Sequence, residues 1–300
     1  MTESTLALVG LDGSNPLAFL AALGTHRVAK SVCPDTTMHW EASTGYFHPV
    51  LTGLGADSGE AAEAITAKLQ ELSTDVFEVN PRLPFDADEF ANFLREASDS
   101  ADRRAADFGC AYGSEAVRDE KKNTFDDTAF RMVRSGDSAG NGLLAYAARV
   151  RRETDVEDIR RTLFARWDYA DGPPEYRWDP AGEKPYAYDW GDPSKSPART
   201  MLGANSLALE ALPLFPTVPD GRRVATTGFH RRDRRVYFTW PVWSPPIGVE
   251  VVRSLLAHHT FTKHKPDQTQ LTAMGITSVF RSRRFASSQY YSNFSPAESV

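Results

Sequence analysis

Several features that would place this 300-residue chain in a familiar class are missing from its sequence. It has only two cysteines, Cys33 and Cys110, which is too few for a disulfide framework or a four-thiolate zinc site. The longest apolar run covers residues 17–23, whereas a helix that spans a bilayer needs about 20 apolar residues. No basic segment precedes an apolar one at the N-terminus, as it would in a secretory signal. We therefore expect a soluble, cytoplasmic protein that makes no membrane contact.

Signatures of nucleotide and metal chemistry are missing as well. There is no Gly-Lys pair, which excludes a Walker A loop for ATP, and no His-Asp pair, which excludes the signature of an HD-type phosphohydrolase. The histidines His258, His259 and His264 are close in sequence. The charged residues beside them are Lys263 and Lys265, however, rather than carboxylates at ligand spacing. The sequence therefore predicts a protein that is not an enzyme and that binds no metal or cofactor.

The residues that are present indicate a globular protein with a substantial core. Hydrophobic residues make up 41% of the sequence and aromatic residues 11%, which rules out disorder throughout the chain. Helical and alternating apolar patterns are mixed without a regular strand–helix–strand rhythm. We expect an α+β fold with short antiparallel sheets, forming one large domain or two closely packed ones. Composition divides the chain into an acidic, helix-rich part over 1–165 and an aromatic, basic part over 166–300.

Local patterns predict most of the individual elements. Asn15 is a suitable helix cap and Pro16 a suitable first residue, so we expect a helix from Pro16 towards Val32. Further helices are predicted from Ser58 onward and over 87–97, 139–152, 156–164, 202–212 and 249–259. Further strands are predicted over 5–9, 37–41, 46–51 and 276–285.

Two charged stretches lead to predictions about exposure and about a hairpin turn. Residues 99–122 are dense in charge, and we expect them to be exposed. A hairpin is predicted to pair residues 224–229 with 235–240, and the charged residues 230–234 would form its turn.

Charge is distributed unevenly along the chain. Residues 221–300 contain twelve Lys and Arg residues and four Asp and Glu residues, which gives a net charge of +8. The other 220 residues contain 22 basic and 36 acidic residues, a net charge of −14. A basic segment of this kind indicates contact with a polyanion or with the acidic surface of another subunit. The alternative is that the arginines are simply spread over solvated faces.

The basic residues of the last third occur in groups that we expect at strand ends or hairpin tips. Arginine there can bind two phosphate oxygens at once, and nearby rings such as Tyr237 offer surfaces on which single-stranded bases stack. In the opposing interpretation the rings fill the core, while the arginines solubilise its rim or meet an acidic protein. The predicted phosphate contacts are Arg231, Arg232, Arg234, Arg235, Arg281, Arg283 and Arg284, supported by Lys263 and Lys265.

One local motif suggests a serine esterase of the α/β-hydrolase type instead. Residues 136–140 read Gly-Asp-Ser-Ala-Gly, the pattern of a nucleophile elbow, in which a turn between a strand over 129–133 and a helix over 143–151 would expose Ser138. The motif resembles that of hormone-sensitive-lipase esterases, but no His-Gly pair for an oxyanion hole occurs. A capping role for Ser138 is the simpler interpretation. The remaining catalytic groups would come from Asp168, Asp179 or Asp192 and from His230, His258 or His259.

A second enzymatic arrangement is weaker still. Asp107 followed by Glu120-Lys121-Lys122 matches the residue types of metal-dependent nucleases, in which carboxylates hold Mg²⁺ and a lysine polarises water. In those enzymes the triplet lies on a buried strand. Here its surroundings are typical of a solvated surface, so the nuclease is not the favoured interpretation.

Several segments spread over most of the chain suggest a family. They read LDGSNPLAFLAALG at 11–24, YRWDP at 176–180, YA at 186–187, DPS at 192–194, GANSLA at 203–208, ALPLFP at 211–216, TTGF at 226–229, FTWP at 238–241 and VRSLL at 252–256. Together these segments resemble CRISPR-associated proteins of the type I-G (formerly I-U) systems. None of them is a catalytic signature.

The resemblance implies a non-catalytic subunit or accessory protein of an antiviral effector ribonucleoprotein. In such a complex, base pairing between guide RNA and target DNA supplies the sequence specificity, and protein subunits hold the backbone in cationic grooves. The implied partners are the other CRISPR effector proteins, a separate helicase-nuclease, the guide RNA and the target DNA. Cutting and unwinding would then be carried out by another protein.

Overall fold

The computed structural model describes residues 4–134, 142–182, 199–286 and 291–300 of the chain. The protein is α+β, with 41% helix and 26% strand in small antiparallel sheets, which confirms the predicted fold class. The helices are α1 (Pro16–Val32), α2 (Ser58–Glu71), α3 (Ala87–Asp99), α4 (Arg104–Tyr112), α5 (Leu143–Glu153), α6 (Val156–Phe164), α7 (Leu202–Ala211), α8 (Val249–Leu256) and α9 (Gln268–Ala273). The strands are β1 (Thr5–Ala7), β2 (Met38–Ser43), β3 (Tyr46–Thr52), β4 (Gly113–Asp119), β5 (Thr124–Asp127), β6 (Thr217–Asp220), β7 (Arg223–Thr226), β8 (Phe229–Arg232), β9 (Arg235–Trp243), β10 (Ile276–Ala286), β11 (Ser292–Phe294) and β12 (Glu298–Ser299).

The strands form antiparallel sheets of two to five strands. In one sheet β3 lies between β1 and β2. The largest sheet has the order β11–β10–β9–β8, and β12 also pairs with β10, at Phe280 and Arg281. Two separate ribbons pair β4 with β5 and β6 with β7. Because β8, β9 and β10 carry most of the predicted phosphate contacts, the largest sheet decides where those side chains point.

Helix α1 lies in the middle of the fold and is buried along nearly its whole length. As predicted, Asn15 caps it: the side-chain oxygen accepts two backbone N–H hydrogen bonds at 2.8 and 3.1 Å, and Pro16 is the first helical residue. At Gly24 a Cβ atom would overlap the carbonyl oxygen of Leu207, so the backbones of α1 and α7 pack in direct contact. Among the described helices, α1 included, none is long and apolar enough to cross a membrane.

The hydrophobic core crosses the composition boundary at residue 165. One cluster of buried apolar side chains contains residues from both sides of that boundary. The indole N–H of Trp240 donates to the carbonyl oxygen of Gly13 at 2.8 Å, and that of Trp243 donates to the carbonyl oxygen of Met38 at 2.9 Å. The division into 1–165 and 166–300 therefore describes composition and not separate cores, and as a domain boundary it stays a prediction.

Most predicted helices begin where the sequence pattern placed them. Helices α1, α2, α3, α6, α7 and α8 begin at the predicted residue, although α8 ends three residues early. The predicted start of the helix over 139–152 lies outside the described residues, and α5 begins at Leu143. The expectation that residues 99–122 are exposed is wrong for α4, which lies in this range and buries Phe108 and Tyr112. The strand expected over 129–133 is also absent, and Val133 forms only an isolated bridge.

The predicted hairpin is present, but its first strand is displaced. Residues of β7 pair with β6 instead of β9. Gly228, with a φ of +80°, separates β7 from β8, so the strand that pairs with β9 begins at Phe229. The turn consists of Asp233 and Arg234 alone, with φ angles of +48° and +62°. Two successive residues at positive φ form the kind of tight turn that suits the twist of a two-residue hairpin.

A buried cluster of charged side chains joins four helices. Glu210 of α7 is almost fully buried and accepts two hydrogen bonds from Arg104 of α4, both at 2.8 Å. Arg151 of α5 lies 3.4 Å from the same carboxylate, and Arg27 of α1 lies 3.7 Å from it and donates to its backbone carbonyl. Burial alone would raise the pKa of Glu210, but the hydrogen bonds from Arg104 and the charges of Arg104, Arg151 and Arg27 hold it below its ordinary value.

The charge of Glu210 is expected to contribute strongly to stability. Replacing it in Glu210→Gln leaves three buried guanidinium groups around a neutral amide, so we expect a loss of about 3–5 kcal/mol in the free energy of unfolding at pH 7. Because the folded pKa is lowered, the contribution of the carboxylate is present above pH 4.5 and is lost as the pH falls through the folded pKa. Urea unfolding at pH 7 and at pH 3 measures both effects.

The matched control is Glu157→Gln, which removes an exposed carboxylate that is also paired with an arginine, Arg160. Exposed pairs of this kind contribute little to stability, so we expect a much smaller loss than in Glu210→Gln. Equal losses in the two variants would show that the Glu210 cluster does not hold the helices together.

Candidate functional site

The strand pairing of the largest sheet assigns each arginine to one of two faces. Side chains alternate between faces along a strand, so Arg231 and Arg232 point in opposite directions. In the register of β8 with β9, Arg232 is opposite Arg235 and His230 is opposite Tyr237. These four side chains share one face.

Strand β10 also places its arginines on these two faces of the sheet. Arg283 is opposite Tyr237 and Arg281 is opposite Thr239, so both arginines belong to the face of Arg232. Arg284 is opposite Val236, on the face of Arg231. The nine predicted residues therefore do not form one continuous surface.

A pocket of about 590 Å³ lies on the face that carries Arg232. One wall is the β8–β9 hairpin, and the facing walls are the segment before α9 and strand β12. Four cationic side chains line the pocket, together with two histidines, one tyrosine and two carboxylates. They are Arg232, Arg235, Lys265 and Arg281; His230 and His264; Tyr237; and Asp233 and Glu298. The volume is in the range of pockets that take small organic ligands or a part of a larger one.

Arg281 supports the pocket from below. It is only 5% exposed, and its Nε donates to Thr239 Oγ1 at 3.1 Å. Its two terminal nitrogens donate to backbone carbonyls of the segment before α9: those of His264 at 3.1 Å, Lys263 at 2.7 Å and Phe261 at 3.4 Å. The side chain thus fixes the segment that carries Lys265 over the sheet. Sequence reasoning placed Arg281 at a strand end, which is wrong because the residue lies in the middle of β10.

His230 is a partly buried, neutral group in the wall of the pocket. Burial and, to a smaller extent, the nearby charges of Arg281 and Arg232 together lower its pKa to about 4. Its ring stacks on that of Tyr237, with 5.6 Å between centroids and 20° between planes. Its buried Nδ1 has no hydrogen-bond partner among the described residues. At neutral pH the imidazole is therefore uncharged.

The two carboxylates neutralise only part of the cationic charge. Asp233 lies 3.5 Å from Arg232, but its side chain is 81% exposed, and an exposed pair of this kind is weak. Glu298 is opposite Arg281 in the pairing of β10 with β12 and is exposed. The pocket retains more cationic than anionic side chains, so it is suited to an anionic ligand.

The other predicted residues lie outside the pocket lining. Arg234 is exposed in the hairpin turn, Lys263 is exposed beside the pocket, and Arg283 is exposed with its guanidinium 5.6 Å from the ring of Phe285. Arg231 and Arg284 occupy the opposite face of the sheet.

On that opposite face, Arg284 is engaged with the protein itself. Its Nη2 donates to the carbonyl oxygen of Arg131 at 2.9 Å. Burial and the neighbouring charge of Arg134 together lower its pKa to about 10. Arg231 is exposed nearby.

Sequence reasoning missed several residues that complete the pocket. His264 had been noted as part of a histidine cluster, and Tyr237 as a stacking ring, but neither was assigned to a site. Glu298 belongs to a two-residue strand, which is too short to produce an alternating pattern. Only the pairing of β12 with β10 brings it to the pocket.

The groups considered for esterase chemistry are not brought together by the described part of the chain. Ser138 and Asp192 lie outside the described residues. Asp168 accepts hydrogen bonds from Arg161 at 3.0 and 3.1 Å. Asp179 accepts hydrogen bonds from Asn15 and Tyr169. The rings of His258 and His259 stack on each other, with 4.8 Å between centroids.

The nuclease triplet does not form a site either. Asp107 lies in α4, 3.5 Å from Arg253. Glu120, Lys121 and Lys122 are exposed in the turn that follows β4. Within the described ranges, no three His, Cys, Asp or Glu side chains are close enough to hold a metal ion.

Comparison with known proteins adds no assignment. No protein-family model matches the chain, and a search of curated proteins finds no match. The candidate site is therefore defined by its own geometry.

The supporting role of Arg281 leads to a prediction about stability. Arg281→Met leaves several backbone carbonyls of the segment before α9 without a donor, so we expect a loss of about 2–4 kcal/mol in the free energy of unfolding. We also expect faster amide hydrogen exchange over residues 260–266. Urea unfolding and exchange mass spectrometry measure the two effects. The control is Arg283→Met in the same strand, where the exposed side chain should cost at most about 0.5 kcal/mol. Unchanged exchange in Arg281→Met would contradict the supporting role.

Proposed function

We propose that this chain is a non-catalytic subunit or accessory protein of a type I-G CRISPR effector ribonucleoprotein. In that complex it binds the sugar-phosphate backbone of the guide RNA or the target DNA through the cationic pocket. The observation that carries the proposal is the convergence of Arg232, Arg235 and Lys265 on one concave surface.

The chemistry of these side chains favours phosphate as the ligand. Arg232 and Arg235 face each other across the turn at the end of the hairpin, and each guanidinium can donate two parallel hydrogen bonds to one phosphate. Lys265, on the facing wall, adds a mobile point charge. Backbone binding of this kind needs no base recognition, because the guide RNA would supply the sequence specificity.

The family assignment rests on the segments that resemble type I-G proteins. Three of them, over 11–24, 203–208 and 211–216, lie in α1, in α7 and in the turns that flank these helices, and the two helices pack against each other in the core. The segments over 186–187 and 192–194 lie outside the described residues. The resemblance therefore concerns the scaffold, whereas the pocket supplies an independent argument for an anionic partner.

Charge reversal on the two faces of the hairpin tests the binding proposal. Arg232→Glu with Arg235→Glu removes two phosphate contacts from the pocket. Arg231→Glu with Arg234→Glu makes the same change in charge outside the pocket. We expect the first pair to weaken binding and to reduce the slope of log affinity against log salt concentration by about 1.4, since each contact to a single strand contributes about 0.7.

The second pair should leave that slope nearly unchanged, because the slope counts phosphate contacts and we propose that Arg231 and Arg234, outside the pocket, make none. The measurement is fluorescence anisotropy with labelled single-stranded RNA and DNA of 20 nucleotides between 50 and 300 mM salt. Equal effects of the two pairs would mean that the pocket is not the binding site.

Association with a ribonucleoprotein is tested by co-purification. We expect the tagged full-length chain, isolated from its native cell, to retain the protein products of neighbouring genes and RNA whose sequence includes the CRISPR repeat. The Arg232→Glu, Arg235→Glu variant should retain less of that RNA. Isolation of the tagged chain without nucleic acid and without effector proteins would reject the assignment to a CRISPR complex.

A further inference from the structure

We propose that the pocket seats a single unpaired nucleotide of a single-stranded nucleic acid, with the base packed against the Tyr237–His230 ring pair and the adjoining phosphate held by Arg232, Arg235 and Lys265. This inference rests on the proposed function and specifies its substrate: an unpaired strand and not the backbone of a duplex.

The ring pair provides the apolar part of such a site. Tyr237 and His230 are directly opposite each other in the pairing of β8 with β9, and their rings lie nearly parallel. Both rings line the pocket and both are partly exposed. A base that enters the pocket can extend this stack, because every base has a π face of its own.

The cationic groups lie where a phosphate attached to that base would be. Arg232 and Arg235 are each two residues from a ring residue on the same strand, so they lie on the same face, next to the rings. Lys265 closes the pocket from the opposite wall. Cationic side chains therefore lie next to the ring pair in one pocket, as the phosphate and the base of a single nucleotide require.

The concave shape argues against a duplex. In a duplex the bases are stacked inside and only the backbone and groove edges are accessible, whereas an unpaired base can leave its stack and enter a pocket. A pocket of about 590 Å³ encloses one nucleotide and has no room for a paired helix.

The experiment compares three labelled probes of 20 residues: a mixed-sequence single strand, the corresponding duplex, and an abasic sugar-phosphate chain that carries the same charge without bases. DNA and RNA versions of the single strand distinguish the two sources of the ligand. We expect the single strand to bind about tenfold more tightly than the abasic chain, since stacking of one base is worth roughly this factor. The duplex should bind no better than the abasic chain.

The variants separate stacking from charge. Tyr237→Ala should abolish the preference for the single strand over the abasic chain without changing the salt slope. Tyr237→Phe, which keeps the ring, should retain the preference. His230→Ala should reduce it, and thermal unfolding monitored by circular dichroism confirms that each variant is folded.

The outcomes distinguish this inference from the proposed function. Equal binding of the single strand and the abasic chain by the unaltered protein, with binding still lost in Arg232→Glu, Arg235→Glu, would overturn the nucleotide site and leave backbone binding in place. Tighter binding of the duplex than of the single strand would likewise overturn the nucleotide site and leave backbone binding in place. Failure of every probe to bind at 50 mM salt would reject both proposals.

Discussion

The structure depends on the burial of one carboxylate among three guanidinium groups. Glu210 lies on α7, and Arg27, Arg104 and Arg151 reach it from three other helices. Charged groups this deeply buried are tolerated only when they satisfy one another, so the four helices must keep their relative positions. The direct backbone contact of α1 with α7 and the indole hydrogen bonds of β9 then attach the largest sheet to this framework.

The sheet separates two roles that arginine can perform. Arg281 and Arg284 direct their guanidinium groups to backbone carbonyls and act as internal supports. Arg232 and Arg235 remain available to a ligand, because the carboxylate of Asp233, which lies 3.5 Å from Arg232, is itself highly exposed. The net charge of a segment therefore overstates the charge that it presents to a partner. What a polyanion meets is set by strand register and burial.

Sequence reasoning succeeded where local chemistry decides the structure. The cap at Asn15, the following proline and the apolar periodicity of α2 and α6 suffice to begin each helix at the right residue. Sequence reasoning failed where residues that are distant along the chain decide the structure. Arg104 begins helix α4 in a segment for which the sequence predicts exposure. Its partner Glu210 is 106 residues away along the chain, so the local sequence does not reveal their contact. The arginine clusters were recognised, but nothing in their spacing reveals that Arg231 and Arg284 face away from the pocket or that β12 completes its wall.

The two-residue turn at Asp233 and Arg234 has a consequence for how the hairpin can change. Each residue inserted into or removed from one arm of the hairpin shifts the side-chain pattern by one position and exchanges the inward and outward sets. The pocket would then receive Arg231 in place of Arg232 and lose the His230 imidazole to the far side. The length of this arm, and not only its amino-acid composition, thus decides which side chains of β8 the ligand meets.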